Sequence, residues 1–409
     1  MSLLQRGRPE EAEPILRRVI SEAPGNSDAH NLLGTILDQR GQFKDAEREY
    51  RAALRLNPTV ISPLANLGVL LARTGRSEEA IKTFESVLQR SPNHPQATLN
   101  LGLQYVVRGE HARAVLLLNQ ASQLGLDGYE LRHRLGIALY NLKRYDEAVT
   151  SLEHSSALSP NSADPFYHLG LVAWARGQDE TAGELWEKAV ALRQNFSAAN
   201  FMLGEVLRKL GRLEAARKSY ERALGQDPSK VVHYVRLGGV LILQAHFIQA
   251  LDIFRLAASR FPEMSDVQYF VGLAARGTGD YELARTSLRE SLRLQADNVD
   301  ALALLGAISS DQGDLIKGEQ LLRRAIALND RHFNSHHDLG GLLLRTRRYV
   351  EALPVLRRAA VLNVHNPDVH YKLFIALSRL KRKDEAEREL TIFKRLEGER
   401  KAGRPVDRA

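Results

Sequence analysis

The chain has 409 residues, 44% of them hydrophobic, 6% aromatic and 26% charged, with a formal net charge of +8 at pH 7. It has no cysteine, which excludes disulfides, thiolate metal sites and cysteine nucleophiles. No run approaches the roughly 18 consecutive apolar residues of a membrane span, and the chain does not start with a signal-peptide pattern. The abundance of helix-forming residues predicts an all-α protein. As written it is expected in the cytoplasm, whereas a periplasmic location would need a signal peptide upstream of residue 1.

The first 26 residues predict a single helix. Gly7, Ala12, Val19 and Pro24 are in register with the second half of a repeat that becomes plain further along the chain. The first half of that repeat is missing. We therefore expect an incomplete first repeat over 1–26, and interpret it as a sign of a longer natural chain or a misplaced start codon.

From residue 27 onward an apolar residue followed by glycine recurs every 34 residues. Each such glycine is followed after twelve residues by a small residue, and four residues later by a large apolar residue in many units. A fixed period of this length is the mark of a repeat architecture. The ten glycines are Gly34, Gly68, Gly102, Gly136, Gly170, Gly204, Gly238, Gly272, Gly306 and Gly340.

The spacing predicts two helices per unit, because two helices cross closely only where neither carries bulk. The glycine of helix A would face the small residue of helix B, and the large apolar residue would fill the remaining gap. A second glycine, seven residues after the first, suits a sharp turn with positive φ between the two helices. Lys143, Ala245 and Arg347 replace this glycine, so we expect strained turns there.

This pattern resembles tetratricopeptide repeats of the bacterial type, over the whole chain. The resemblance implies a right-handed superhelical α-solenoid of antiparallel helix hairpins. Ten tandem repeats span 27–366, a capping repeat spans 367–400, and a disordered tail is expected over 401–409. The last repeat carries Phe374 where glycine is expected and Phe393 in a column that is otherwise mostly small.

No catalytic, metal or cofactor motif is present in the sequence. There is no phosphate-binding glycine loop, zinc-protease motif or serine-hydrolase elbow. His30, His336 and His370 share the fourth position of helix A, where we interpret them as packing residues rather than metal ligands. The sequence therefore predicts a protein without cofactor, metal or enzymatic activity.

The resemblance implies that function lies on the concave face, at positions 2, 5, 6, 9, 12 and 13 of each helix A. Exposed aromatic and apolar residues in these columns would anchor a peptide, but they could instead fold back onto neighbouring helices and thicken the core. Two asparagines match part of the ladder by which sugar-transferring family members hold peptide backbone. The candidate residues are Tyr140, Tyr167, Trp174, Phe201, Val235, Ile242, Tyr269, Asn66 and Asn100.

Other features of the sequence limit the classes of partner that the chain is expected to bind. Position 5 holds no lysine, so the carboxylate clamp of chaperone-binding family members is absent. Residues 201–409 contain 35 basic and 26 acidic side chains, whereas 1–200 contain 22 and 23. The basic cluster around Arg379, Lys381 and Arg382 could attract acidic partners or could simply be solvated. The sequence argues against a nucleic-acid surface, because its aromatic residues lie in the middle repeats and not among these charges.

The leading hypothesis is a scaffold or adaptor that binds a protein or extended peptide in its groove. The alternative is a non-catalytic recognition arm of a larger, glycosyltransferase-like enzyme or of a secretion or assembly complex. The identity of the partner and the oligomeric state do not follow from the sequence.

Overall fold

The computed structural model describes residues 9–401, and within this range every regular element is an α-helix. Helix α1 (Pro9–Glu22) is followed by eleven hairpins, each formed by a helix A and a helix B. The helices A are α2 (Ser27–Gln39), α4 (Ile61–Arg73), α6 (Pro95–Arg108), α8 (Tyr129–Asn141), α10 (Ala163–Ala175), α12 (Ser197–Lys209), α14 (Val231–Leu243), α16 (Ser265–Thr278), α18 (Val299–Asp311), α20 (Phe333–Arg345) and α22 (Pro367–Arg379).

The helices B are α3 (Phe43–Leu56), α5 (Ser77–Arg90), α7 (His111–Gln123), α9 (Tyr145–Leu158), α11 (Asp179–Leu192), α13 (Leu213–Gln226), α15 (Phe247–Arg260), α17 (Tyr281–Leu294), α19 (Leu315–Leu328), α21 (Tyr349–Leu362) and α23 (Lys383–Lys401). Repeat 1 is thus α2 and α3, and repeat 11 is α22 and α23. The prediction of an all-helical chain of hairpins is confirmed.

The chain divides into two compact units, residues 1–206 and 207–409, with the boundary inside α12. In the first unit each helix A from α2 to α10 contacts the next helix A, and in the second unit the same holds from α14 to α22. Each helix B contacts helix A of its own repeat and helix A of the following one within these stretches. The helices A therefore form a continuous layer in each unit. We call the surface made by their positions 2, 5, 6, 9, 12 and 13 the A face.

In most repeats the glycine of helix A closes the hairpin, as the spacing predicts. A β-carbon added to Gly68 would lie 2.6 Å from Cε1 of Phe84, and one added to Gly170 would lie 2.7 Å from Cδ1 of Trp186. Trp186 is fully buried, and its Nε1 donates a hydrogen bond to the carbonyl oxygen of Tyr167 at 3.1 Å. These large side chains are therefore core residues that occupy the space left by the glycine.

Repeat 9 is the one repeat that places a second glycine, Gly318, opposite the first. A β-carbon on Gly318 would meet the hydroxyl of Ser310 and lie 2.9 Å from the carbonyl oxygen of Gly306. The Ser310 side chain thus takes the space that an alanine methyl group fills in the other repeats.

The turns between helices A and B have the predicted geometry. Gly41 and its equivalents have positive φ, at 74° for Gly41 itself. Lys143, Ala245 and Arg347 hold the same left-handed conformation, with φ of 60°, 59° and 61°, which costs a residue with a β-carbon about 1–2 kcal/mol. The expected strain at these three turns is confirmed. Lys381 in repeat 11 adds a fourth case, with φ of 60°.

The histidines at the fourth position of helix A make hydrogen-bond contacts outside their own helix. Nδ1 of His30 lies 2.7 Å from a carboxylate oxygen of Glu49 in helix B, and its Nε2 lies 3.2 Å from the carbonyl oxygen of Pro24. His370 makes the equivalent pair of contacts in repeat 11. His336 in repeat 10 keeps the contact to the preceding turn, at 2.9 Å from the carbonyl oxygen of Asp330. Their interpretation as packing residues agrees with this geometry.

The two ends of the array differ. Helix α1 packs on α2, as a helix B packs on the helix A that follows it. Residues 1–8 lie outside the described range, and the incomplete first repeat over 1–26 stays a prediction. At the other end the Tyr371 ring lies 6.1 Å from that of Phe374 and 5.1 Å from that of Phe393. In repeat 11 the packing of these rings replaces the close contact of helices A and B that the glycine allows in other repeats. The capping role of this repeat remains a prediction, and the tail predicted over 401–409 lies outside the described residues except for Lys401, which is helical.

Candidate functional site: the A face

Three predicted aromatic anchors lie on the A face of the first unit, and each is half-buried. Tyr167, at position 5 of α10, has its ring centroid 5.0 Å from that of Phe196. Trp174 is at position 12 of the same helix, and its ring centroid lies 5.3 Å from that of the buried Trp186. Tyr140 holds position 12 of α8. Each ring thus packs in part against the protein and leaves the rest of its surface accessible, and its role as a peptide anchor stays a prediction.

A pair of histidines lies beside these rings. Nε2 of His133 is 3.1 Å from Nδ1 of His168, which also lies 2.9 Å from the carbonyl oxygen of Asp164. Burial, reinforced by the neighbouring imidazole, lowers the pKa of His133 to about 4, and burial likewise lowers the pKa of His168. Both rings are therefore neutral near pH 7. Nδ1–H of His168 can donate to Asp164 and to His133 together, so the pair contributes hydrogen bonds and no charge.

The two asparagines have internal partners on their amide nitrogens. Nδ2 of Asn66 donates to Oδ1 of Asn31 at 3.1 Å and so links repeats 2 and 1. Nδ2 of Asn100 donates to the carbonyl oxygen of Gln96 in its own helix at 2.8 Å. Each of these contacts engages one of the two N–H groups of the side-chain amide.

The remaining predicted residues are half-buried as well. Phe201 lies in α12, and Val235 and Ile242 lie in α14 at positions 5 and 12. Tyr269, at position 5 of α16, differs from them because it lines a cavity on the A face of the second unit.

This cavity has a volume of about 320 Å³ and lies between α16, α18 and α20. Its walls combine an aromatic ring and aliphatic groups with carboxylates, imidazoles and a guanidinium group. Nearly all of its residues belong to the columns that define the A face. They are Tyr269, Leu273, Arg276, Asp300, Ala303, Leu304, His332, Asn334, His337 and Asp338.

His337 is the centre of a hydrogen-bonded network at one side of the cavity. Its Nδ1 lies 2.9 Å from Asp338 and its Nε2 lies 2.6 Å from Asp368 of the next repeat. Nζ of Lys372 lies 2.8 Å from the same Asp368 carboxylate. Burial disfavours the imidazolium, but the hydrogen bonds to the two carboxylates outweigh it and raise the pKa of His337. Conversely, the hydrogen bond from His337 holds the pKa of Asp368 well below its usual range.

Sequence reasoning found Tyr269 and missed the polar residues of the cavity. A signal was present, because position 2 of helix A is aspartate in several repeats of the second unit, including Asp266, Asp300 and Asp368. Periodicity places these carboxylates on one face. It does not show that His332 contacts Asp300 at 3.1 Å, because that contact joins two repeats.

Part of the basic charge of the last two repeats is paired with acids, including that of Arg348 and of Arg382. Arg348 contacts Glu351 of its own repeat at 2.6 Å and Glu319 of the preceding repeat at 2.5 Å. Arg382 contacts Glu385 at 2.6 Å. Acidic neighbours thus offset part of the local positive charge, as the sequence suggested.

Two kinds of feature are absent from the described part of the chain, residues 9–401. No group of three or more His, Asp or Glu side chains in it is placed to hold a metal ion. None of its helices is long and apolar enough to cross a membrane.

Comparison with known families agrees with the hairpin geometry. Models described as tetratricopeptide repeat match residues 3–68 and, in overlapping segments, 133–231 and 244–367, which together exceed half of the chain. The chain belongs to the tetratricopeptide repeat family. A further model, described as anaphase-promoting complex, cyclosome, subunit 3, matches residues 73–155 of this tetratricopeptide repeat (TPR) protein. No curated protein matches it in sequence.

Solved structures support the same fold. The C-terminal part of a TPR repeat-containing protein from Cytophaga hutchinsonii is 15% identical, with a TM-score of 0.51, and the match covers 59% of this chain and 99% of that one. A chain of the APC/C hetero-tetramer Cut9–Hcn1 is 14% identical, with a TM-score of 0.50, and the match covers 97% and 92%. At such identities the likeness extends to the fold alone.

Proposed function

We propose that this TPR protein is a scaffold that binds an extended peptide or a protein segment on the A face, without catalysis of its own. The observation that carries the proposal is a contrast between two sets of aromatic residues. The large residues of helices B, such as Phe84 and Trp186, are fully buried, whereas Tyr140, Tyr167 and Trp174 on the A face stay partly accessible. Accessible aromatic rings on a rigid helical layer gain contact area at low entropic cost, as interface anchors do.

A second candidate is that the chain serves as an arm of a larger assembly or enzyme. The match of residues 73–155 to an anaphase-promoting complex subunit favours this candidate. One structurally similar chain belongs to the APC/C hetero-tetramer Cut9–Hcn1. In either case the chemistry of binding would lie on the helices A, so the same experiment addresses both candidates.

The test is a selection of peptides from a random linear library with the wild-type protein as bait. We expect sequence-specific peptides whose affinity can be measured by fluorescence anisotropy. For peptides bound in the first unit, the combined substitution Tyr140→Ala, Tyr167→Ala and Trp174→Ala should weaken binding at least about tenfold, since anchor residues typically contribute more than about 1.4 kcal/mol.

Leu116→Ala is the matched control, because Leu116 is an exposed apolar residue of helix α7 and lies outside the A face. Circular dichroism would verify that each variant keeps its helices. The proposal fails if no sequence-specific peptide is selected. Its placement on the A face fails if the selected peptides bind the triple variant and cavity variants of the second unit as tightly as the wild type.

A further inference from the structure

The cavity of the second unit contains more carboxylates than permanent cations. Asp300 and Asp338 line it together with one permanent cation, Arg276, and both this guanidinium group and the nearby Lys372 have other carboxylates as partners. Arg276 contacts Asp311 at 3.4 Å, and Lys372 contacts Asp368 at 2.8 Å.

The partners of the two lining carboxylates are imidazoles. Asp300 is 3.1 Å from Nε2 of His332, and Asp338 is 2.9 Å from Nδ1 of His337. An imidazole carries a positive charge only when it is protonated. Neither contact therefore supplies Asp300 or Asp338 with a permanent cation.

The remaining walls are apolar and suit a long aliphatic stem. Leu273, Ala303 and Leu304 surround the cavity together with the ring of Tyr269. Burial, together with the nearby Asp300 carboxylate, raises the pKa of Tyr269 to about 12, so its ring stays neutral and electron-rich. A neutral tyrosine ring attracts a cation placed over its face.

We propose that this cavity receives one lysine or arginine side chain of the segment bound on the A face, a proposal that rests on the function proposed above. These two side chains combine an aliphatic stem with a cationic end, which matches the leucine and alanine walls and the two carboxylates. An acidic guest would meet Asp300 and Asp338 as like charges. An apolar guest would cover both carboxylates without neutralising them, which is costly.

The net charge of +8 does not oppose such a guest. Charges are screened beyond about 8 Å at physiological ionic strength, so the carboxylates inside the cavity dominate the local field. The basic side chains near the cavity also have acidic partners, as Arg345 does with Asp311 at 3.4 Å.

The experiment combines the peptide selection with the double substitution Asp300→Asn and Asp338→Asn. We expect wild-type protein to enrich peptides with lysine or arginine at one fixed position. Replacement of that lysine by norleucine, which keeps the stem and removes the charge, should weaken binding to wild type about tenfold. The double variant should bind the lysine and norleucine peptides equally.

Two variants keep the test decisive. Asp28→Asn is the matched control, because Asp28 is an exposed aspartate at the same position of helix α2, and it should leave the preference for lysine unchanged. If the double variant loses its helical circular dichroism signal, Asp300→Asn alone is used. It should then reduce the preference several-fold.

A pH series gives an independent readout. Affinity for the lysine peptide should rise as pH increases through the raised pKa of His337, because the imidazolium form repels the guest and neutralises Asp338. The other charged or titratable groups around His337 are Asp368 and Lys372 on α22, Asp300 and His332 across the cavity, and Arg276 on α16.

Each failure has its own signature. Selection of peptides without a fixed basic residue would overturn the cavity proposal and leave the scaffold function intact. The same holds if wild type and double variant discriminate lysine from norleucine equally, or if free arginine binds as tightly as the peptide. Selection of no peptide at all would instead contradict the proposed function.

Discussion

Gly238 offers the most direct test of how the hairpins close. It lies in the middle of α14, where a β-carbon would come within 2.7 Å of three ring carbons of Phe254. Phe254 is 1% exposed, and its ring stacks on that of Phe270 with the ring centroids 5.2 Å apart. The next residue, Gly239, is also helical, and a β-carbon there would have no atom within 4 Å. Two adjacent glycines of one helix thus differ only in what an added methyl group would meet.

The magnitudes follow from two opposed effects. Alanine is favoured over glycine in a helix interior by about 1 kcal/mol, so Gly239→Ala should stabilise the protein by that amount. Gly238→Ala gains the same propensity but overpacks the core, which costs about 1–3 kcal/mol. The close approach to a buried ring places this cost near about 3 kcal/mol, so Gly238→Ala should destabilise by about 2 kcal/mol. The two variants should therefore differ by about 3 kcal/mol.

Urea unfolding followed by far-ultraviolet circular dichroism would give the order of stabilities. Hydrogen exchange of the α14 and α15 amides would locate the effect, because repeat arrays need not unfold in a single step. In a Phe254→Ala background the penalty of Gly238→Ala should disappear, since the ring that it meets is gone. Equal stability of the Gly238→Ala and Gly239→Ala proteins would refute the reasoning, and so would a penalty that persists without the ring.

Two further predictions concern a turn and the histidine network. Lys143→Gly should stabilise the protein by about 0.5–1 kcal/mol, because the relief of left-handed backbone strain is larger than the entropic cost of a glycine. A melting temperature lower than that of a Lys143→Ala control would contradict this prediction. Asp368→Asn should destabilise the protein by about 1 kcal/mol at pH 7. This deficit should shrink as pH falls below about 4, because a carboxylate whose pKa is lowered by folding stabilises fully above its unfolded pKa and loses that contribution as pH falls towards its folded pKa. A deficit that does not vary with pH in urea unfolding would exclude the charged contact with His337 as its cause.

Most of the fold could be predicted from the sequence because its determinants are local and periodic. The glycines that close the hairpins recur every 34 residues, and the turn positions follow them at a fixed interval. The same register carried to repeat 11 points to Lys381, whose positive φ was not predicted because Phe374 interrupts the glycine column there. In the repeats that keep the helix A glycine, the residue that replaces the turn glycine identifies the strained position.

The candidate site could be predicted only in part. The columns of helix A identify which positions share a face, and Tyr269 was found in this way. The partners of Asp300, His337 and Asp368 were not, because each of these contacts joins side chains about one repeat apart in sequence. The protonation of these side chains depends on the contacts between repeats and on burial, and neither can be read from the residue types at one position of the repeat.

The sequence by itself determined the helices, their pairing and the positions of the turns, since each depends on residues within one repeat. Only the tertiary structure decided how far Tyr167 and Trp174 are covered and which carboxylates face the cavity. The physical reason is that a residue on the A face is exposed in part to solvent and in part packs against the next repeat. The size and charge of the neighbouring side chains, brought close by folding, determine how much of each residue remains available to a partner.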